Sequence, residues 1–227
     1  MLEISGSRFG RGLINVGGVN FDIDDKMSDK IIEMLDGVAK TVDRTTKVML
    51  RTPSCISRME RTGVVSQDSA KALGAVGMAA RSSGVDIDTR FDFNDKWYTS
   101  LDVVKPFKAT GDVHSRFKLR YKEVKQSMQI VKKLLAKLKE YKAEPIKVTP
   151  NQNLTPNSFV VSMTEGWRGE IVHIAVTGAN GELLRYKMKD PSFNNWYMLA
   201  MAVRNNGVSD FPLCNKSFNL SYCGNDL

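Results

Sequence analysis

Apolar positions change their period along the chain, and the changes divide it. Over residues 28–50, Ile31, Met34, Leu35, Val38, Val42, Val48 and Met49 recur mostly at helical spacing, with Ser28 as a plausible N-cap and Pro53 beyond the end. Two shorter helical pieces are predicted over 54–60 and 66–80, separated by a break at Thr62-Gly63. Residues 84–110 are polar and aromatic without a period, and read as a long, shaped loop. The clearest stripe follows: Phe117, Tyr121, Val124, Met128, Val131, Leu135 and Leu138 are separated by alternating steps of four and three. That spacing predicts one long helix over 114–141, buried along a narrow seam against another helix. Lys118, Lys122, Lys125, Lys132 and Lys139 then face solvent or a partner.

After a linker at 145–156 the period shortens. Residues 159–164, 170–177 and 183–188 alternate or run apolar, and Gly178-Ala179-Asn180-Gly181 supplies a turn between the last two. This predicts an antiparallel hairpin or meander. Asp190-Pro191-Ser192 starts a helix with Trp196, Leu199, Ala200 and Val203 on one face, ending near 205–207. The segment from Ser5 to Val19 is glycine-dense and too irregular for a helix, so it reads as a loop needing positive φ or close backbone approach. The expected class is therefore α+β. A glycine-rich loop and a helical bundle with a long central helix occupy 1–145, and a β meander, helix and terminal segment of the same body occupy 146–227.

A chain of 227 residues that is 42% hydrophobic can pack one or two domains, which removes disorder from consideration. No run reaches the roughly 18 apolar residues of a membrane span, and the first ten residues lack a signal-peptide pattern. Both point to a soluble, cytoplasmic chain. Cys55, Cys214 and Cys223 form no C-x-x-C pair, and with only His114 and His173 to add, a closed metal site is not expected. Lys plus Arg number 33 against 25 Asp plus Glu, which raises nucleic acid or an anionic surface as partners. The distribution speaks against nucleic acid. Ten basic residues between Arg116 and Lys142 are interleaved with the apolar stripe, without a DNA-reading motif or an aromatic platform. They read as a solvated or protein-docking helix face.

No phosphate-cradling glycine loop is present, since Gly6-Ser7-Arg8 and Gly74-Ala75-Val76-Gly77 lack the spacing and the strand–helix context. No nucleophile elbow is present either. The segment from Arg81 to Arg90 differs in kind. Arg81, Asp86, Asp88 and Arg90 crowd around Gly84 directly after an apolar helix. Buried charges at that density must pair with one another or with a charged ligand. A loop pinned by Arg–Asp bridges and a proton or cofactor-edge site both satisfy that requirement.

At this stretch the chain resembles the family that joins the large subunit of nickel-iron hydrogenases with the quinone-site subunit of respiratory complex I. Arg8 followed by Gly17-Gly18-Val19 is similar to the family's opening block. Arg61, Thr62, Gly63 and Val64 match the core of its R-x-x-G step. Arg81, Ser83, Gly84, Asp88 and Arg90 match R-x-S-G-x-x-x-D-x-R, and Gly111, Asp112, Arg116, Arg120, Glu123, Gln126 and Ser127 match the block after it. Glu165, Arg168, Gly169 and Glu170, then Lys189, Pro191, Ser192 and Phe193, match the two blocks around the hairpin. The ending resembles the large subunits of hydrogenase-4 and formate hydrogenlyase, with one departure. A catalytic hydrogenase ends in D-P-C-x-x-C, whereas here Asn219 and Leu220 stand on D-P, Ser221 on the first cysteine and Gly224 on the second.

The resemblance implies a hydrogenase-like α+β body with a cleft between the bundle and the C-terminal β region, and Arg81, Asp88 and Arg90 near or just behind that cleft as catalytic candidates. It implies no cofactor bound by this chain, an iron-sulfur cluster in a small partner subunit, and a quinone as candidate acceptor. The other implied partners are a 30-kDa-like subunit and antiporter-like membrane subunits, which would hold the chain on the cytoplasmic face of the inner membrane. Ser221 and Gly224 predict that no nickel-iron centre assembles, that Cys214 and Cys223 remain unligated thiols, and that 215–227 is a loose or plain loop. The expected function is a subunit of a nickel-free, complex I-like oxidoreductase. The alternatives are a structural subunit without chemistry, or part of a true hydrogenase. The family's upstream R-x-C-x-x-C ligand pair has no counterpart here, consistent with a fragment or with a separate polypeptide carrying that part.

Overall fold

The computed structural model describes residues 1–93, 98, 100–101, 103–141, 144–150 and 153–223. The chain opens with one helical turn, α1 (Leu2–Ser5), and a small antiparallel hairpin of β1 (Ile14–Asn15) and β2 (Gly18–Val19). A Cβ on Gly18 would stand 2.2 Å from the Ile146 carbonyl oxygen, and the Val19 amide donates to that same oxygen. The glycine-dense loop is thus a close backbone approach, as its composition suggests.

Helix α2 (Asp25–Met49) starts three residues before Ser28. Its N-cap is Asp24, whose carboxylate accepts from the Met27 amide at 2.7 Å. Two short helices follow, α3 (Pro53–Met59) and α4 (Gln67–Ala72), on either side of the expected break. The piece predicted over 66–80 is not continuous: α4 stops at a turn around Gly74 and the chain restarts as α5 (Gly77–Ser82). Within the predicted loop over 84–110 the described residues include a helical turn, α6 (Thr89–Asp92).

The long helix is present as α7 (Val113–Leu138), extended by a 3-10 turn to Tyr141 and capped by Asp112, which accepts from the Ser115 amide at 2.7 Å. Helices α2 and α7 run antiparallel, joined by Asp43–Lys125 at 3.2 Å, Asp36–Lys132 at 2.5 Å and Asp25–Lys139 at 3.8 Å. The expectation that the apolar stripe of α7 is buried needs correction. Leu135 is buried, but Phe117, Tyr121, Val124, Met128 and Leu138 are half-buried and Val131 is 37% exposed. The reason is that the middle of the stripe borders an open groove. The fully packed part of α7 is its first two turns, through Val113, Ser115, Arg116 and Leu119.

The predicted meander is β3 (Phe159–Gly166), β4 (Gly169–Thr177) and β5 (Leu183–Lys189), antiparallel in that order, with Val160 opposite Ala175 and Ala175 opposite Tyr186. Helix α8 (Pro191–Ala202) carries the expected Asp190 cap and Pro191 start. Its buried line is Ser192, Asn195, Met198, Leu199 and Ala202, while Ala200 is exposed. That corrects the predicted face by about one position, because Asn195 turns inward to satisfy buried backbone groups. After a 3-10 turn the chain forms α9 (Phe211–Phe218), which corrects the expected plain loop over 215–218; 219–223 carry no regular element and 224–227 lie outside the described residues. Pro212 in its first turn favours the helix start, and Phe218 is buried under the guanidinium of Arg116 at 4.2 Å.

The core joins Met59, Val65, Ala70, Ala79, Ala80 and Val113 to Met198, Leu199, Ala202, Cys214, Phe218 and Leu220. Small alanines on α4, α5 and α8 let these helices approach closely, so the first and last parts of the chain share one interior. No helix of the described residues is long and apolar enough to cross a membrane.

Candidate functional site

Helix α5 positions the centre of the site. Gly77 begins it at φ +64°, and a Cβ there would stand 2.2 Å from the Gly169 Cα, so only glycine admits the β3–β4 turn against the helix start. Buried Asn195 fixes the same junction, accepting from the Val76 amide at 3.1 Å and donating to the Val76 and Arg168 carbonyls. One turn later Arg81 points beneath the end of β3. The chain then reverses through Gly84 and returns to Asp88, the N-cap of α6.

Four elements converge there. Arg81 is 2% exposed, and its Nη1 meets Glu165 at 2.9 Å, Asp88 at 3.1 Å and the Ile87 carbonyl at 3.2 Å. Its Nη2 meets Glu123 of α7 at 2.5 Å. Arg90 grips Asp88 with both ends of its fork, Nε to Oδ1 at 2.8 Å and Nη2 to Oδ2 at 2.6 Å. The second oxygen of Glu165 accepts from the Thr89 amide and hydroxyl at 3.2 and 3.1 Å. Among the described residues, Arg81 Nε is buried without an acceptor.

Two guanidiniums against three carboxylates leave one formal negative charge, and the surroundings decide where a proton would go. Burial works against the charge on Arg81, but Glu123, Asp88 and Glu165 together outweigh it and hold the group above its ordinary value. Burial also works against the Asp88 charge. Its bond from Arg90 and the charges of both arginines prevail, so Asp88 lies below the usual carboxylate range. At Glu165 burial wins over the pull of Arg81 and the carboxyl is raised. Of Asp88 and Glu165, it is Glu165 whose protonated form burial favours.

The cluster forms the floor of a cavity of about 500 Å³ whose walls are Leu35 of α2, Val124, Met128 and Val131 of α7, and Arg120, Tyr98 and Trp167. Glu165 also borders a second cavity of about 160 Å³ on its other side. Arg120 donates to the Ser217 carbonyl at 2.9 Å and lies 5.7 Å from the centre of the Trp167 ring. Arg168 stacks on the same ring at 4.8 Å and donates to the Asn219 carbonyl at 2.6 Å. Arg116 is fully buried, donating to Ser217 Oγ, the Gly111 carbonyl and the Gly63 carbonyl at 2.8, 2.8 and 2.9 Å. Burial pushes its pKa down to about 10.

Of the residues singled out in the sequence, Arg81, Asp88 and Arg90 come together; Asp86 instead pairs with Lys105 at 3.1 Å on the surface. Glu123 and Glu165 belong to the site but were not among its candidates. The signal for them was present, because both stand in the matched family blocks and a buried arginine requires carboxylate partners. Ser221 lies beyond α9, its amide donating to Ser192 Oγ at 3.0 Å and its carbonyl accepting from Trp196 at 3.2 Å. Exposed Cys223 stands 3.8 Å from its hydroxyl, Cys214 is buried in the core, and Gly224 lies outside the described residues. Among the described residues no three His, Cys, Asp or Glu side chains converge as a metal site.

Comparison with known proteins finds relatives along most of the chain. The family profile of the respiratory-chain NADH dehydrogenase 49 Kd subunit covers residues 1–158. The chain is 30% identical over 224 residues to the membrane-bound hydrogenase subunit alpha of Pyrococcus furiosus, covering 91% of this chain and 51% of that protein. It is 28% identical over 211 residues to the carbon monoxide-induced hydrogenase of Rhodospirillum rubrum, covering 92% and 57%. It is 26% identical over 235 residues to NADH-quinone oxidoreductase subunit 4 of Thermus thermophilus, covering 91% and 56%. The chain thus spans somewhat over half the length of the curated relatives it matches.

Proposed function

The chain belongs to the family of the respiratory-chain NADH dehydrogenase 49 Kd subunit, and from that premise we propose that it serves in a nickel-free, complex I-like membrane oxidoreductase. In that reading electrons pass to a quinone or another acceptor and their transfer is coupled to ion movement in partner subunits. The partners are a small subunit holding an iron-sulfur cluster, a 30-kDa-like subunit and antiporter-like membrane subunits. Through them the chain sits at the cytoplasmic face of the membrane.

The observation that carries the reading is the donor set after α9. A nickel-iron centre calls for paired thiolates. Here Ser221 offers a hydroxyl that stays protonated near neutral pH, and Gly224 has no side chain. Cys223 is a single thiol, so these residues do not fit a nickel-iron centre. The cluster does not fit an acceptor seat either: the Nη donors of Arg81 and both ends of the Arg90 fork are occupied by carboxylates. Its role is to back the cleft and hold a proton at Glu165, while the acceptor sits elsewhere in the assembly.

Elemental analysis of the complete complex, isolated from nickel-supplemented cells, tests the reading. Iron without stoichiometric nickel, no hydrogen uptake, and electron transfer to an added quinone are expected. Nickel at one per complex, bound through Cys223 and accompanied by hydrogen uptake, overturns it. A purely structural role is favoured by one observation, that each carboxylate of the cluster already has an arginine partner. Glu165→Gln separates the two. A proton-holding role predicts a changed pH profile of electron transfer, and a structural role predicts an unchanged profile at lowered stability.

A further inference from the structure

Glu165 borders two cavities, and its two oxygens are held differently. Oε1 meets the guanidinium of Arg81 at 2.9 Å. Arginine carries donors only and stays protonated, so it takes no proton from a neighbouring acid. Oε2 accepts from the Thr89 amide at 3.2 Å and from the Thr89 hydroxyl at 3.1 Å. A hydroxyl both donates and accepts, so it can receive a proton on one side and release its own on the other. Thr89 also lines the smaller cavity of about 160 Å³, whose walls include Asp92, Glu170, Met163 and Phe93. That volume has room for several waters, and the polar walls supply the partners that water needs. The cavity reaches outward to Asp92, whose side chain is 36% exposed, and to exposed Phe93. The other charged groups around Glu165 are engaged elsewhere. Asp88 is held through both oxygens by Arg90, Glu123 of α7 shares Arg81, and Glu170, opposite Glu165 in the β3–β4 register, pairs with Lys189 at 3.2 Å.

We propose that Thr89 is the proton relay of Glu165, passing a proton between Oε2 and water in the smaller cavity while the Arg81 side of the carboxyl stays closed to exchange. In the outward step the acid's proton bonds to Thr89 Oγ1 as the hydroxyl's own proton passes to a water. The carboxylate stays behind, one hydronium leaves, and no electrons move. Uptake runs the same step in reverse. Burial of Glu165, which favours its protonated form, gives the relay a proton to carry. The inference rests on the reading in which Glu165 holds a proton, and adds the atom that exchanges it and the side from which it is exchanged.

The test uses the complete complex and follows the infrared band of the protonated carboxyl, assigned to Glu165 by its loss in Glu165→Gln. Its hydrogen-to-deuterium exchange is timed after rapid mixing with heavy water. Thr89→Val keeps the backbone amide and the side-chain shape but has no hydroxyl, and should slow exchange about tenfold or more. Thr89→Ser should exchange at the wild-type rate. Met163→Trp, which fills the smaller cavity, should also slow exchange, whereas Val124→Trp, in the larger one, should leave it unchanged. A hydroxyl that only steadies the carboxylate would behave otherwise: Thr89→Val would shift the pH at which the band appears and leave the exchange rate as it was. That outcome overturns the relay, as does slowing by Val124→Trp in place of Met163→Trp. If Glu165→Gln removes no band at any pH at which the complex is intact, the proton-holding reading fails and the relay with it. A band present but exchanging at the wild-type rate in Thr89→Val sinks the relay alone.

Discussion

At the scale of single residues, the site is a balance among five charges, and each can be tested by removal. Arg81 contacts Asp88, Glu123 and Glu165 while almost wholly buried. Arg81→Ala leaves three carboxylates facing one another with Arg90 alone, so a loss of about 3 to 5 kcal/mol is expected in urea unfolding. A loss below about 1 kcal/mol would show the cluster to be solvated and incidental. The pH response follows from the opposite shifts of two acids. Asp88 is depressed, so the stability it contributes is present above its unfolded value and lost as pH falls through its lower folded value. Glu165 is raised by burial, so between its ordinary value and its folded value the folded state binds more protons and stability declines as pH rises. Asp88→Asn should therefore flatten the acid limb of a stability–pH curve, and Glu165→Gln should remove the decline just above the ordinary carboxylate range. An acid limb identical to the wild type in Asp88→Asn would refute the first assignment. The Arg81–Asp88–Arg90 grouping was legible in the sequence because local crowding forces pairing. Glu123 and Glu165 stand in the matched blocks but lie 42 and 84 residues from Arg81, and it is the fold that brings them to it.

At the scale of elements, caps and turns were mostly readable and faces less so. The Asp190-Pro191 start of α8 and the three strands of the meander follow from residue chemistry that acts locally. The buried face of α7 does not, because periodicity indicates which residues share a stripe but not how much of the stripe a neighbour covers. The structure gives that distinction energetic consequences. Leu135 is 5% exposed, and Leu135→Ala should cost about 2 to 5 kcal/mol. Val131, on the same stripe but bordering the groove, should lose no more than about 0.5 kcal/mol on Val131→Ala in the chain alone. Thermal unfolding of the two variants side by side measures the contrast, and equal losses would contradict the open groove.

At the scale of the whole molecule, one buried cation ties distant parts of the chain together. Arg116 donates to the carbonyls of Gly63 and Gly111 and to Ser217, and stacks on Phe218. Arg116→Ala removes the side-chain donor from the buried Gly63 carbonyl and from Ser217 Oγ, while the Gly111 carbonyl keeps the Val65 amide at 3.0 Å, and should cost about 3 kcal/mol. Its mark should be faster hydrogen exchange over 214–220 than in the sheet, since α9 loses its anchor. Uniform acceleration across the chain would argue against that local role. The sequence alone determined the α+β class, the long helix, the antiparallel meander and the pairing of Arg81 and Arg90 with nearby acid, and its blocks pointed to the family. Those features depend on periodicity, turn chemistry and the cost of isolated buried charge, all of which act within a few residues. Only the tertiary structure decided that Glu123 and Glu165 complete the cluster, that Glu165 carries the raised carboxyl, that α9 is an anchored helix and that the α7 stripe borders a groove. Each of these depends on burial and on contacts between segments far apart in the chain, quantities that no local pattern of residues contains.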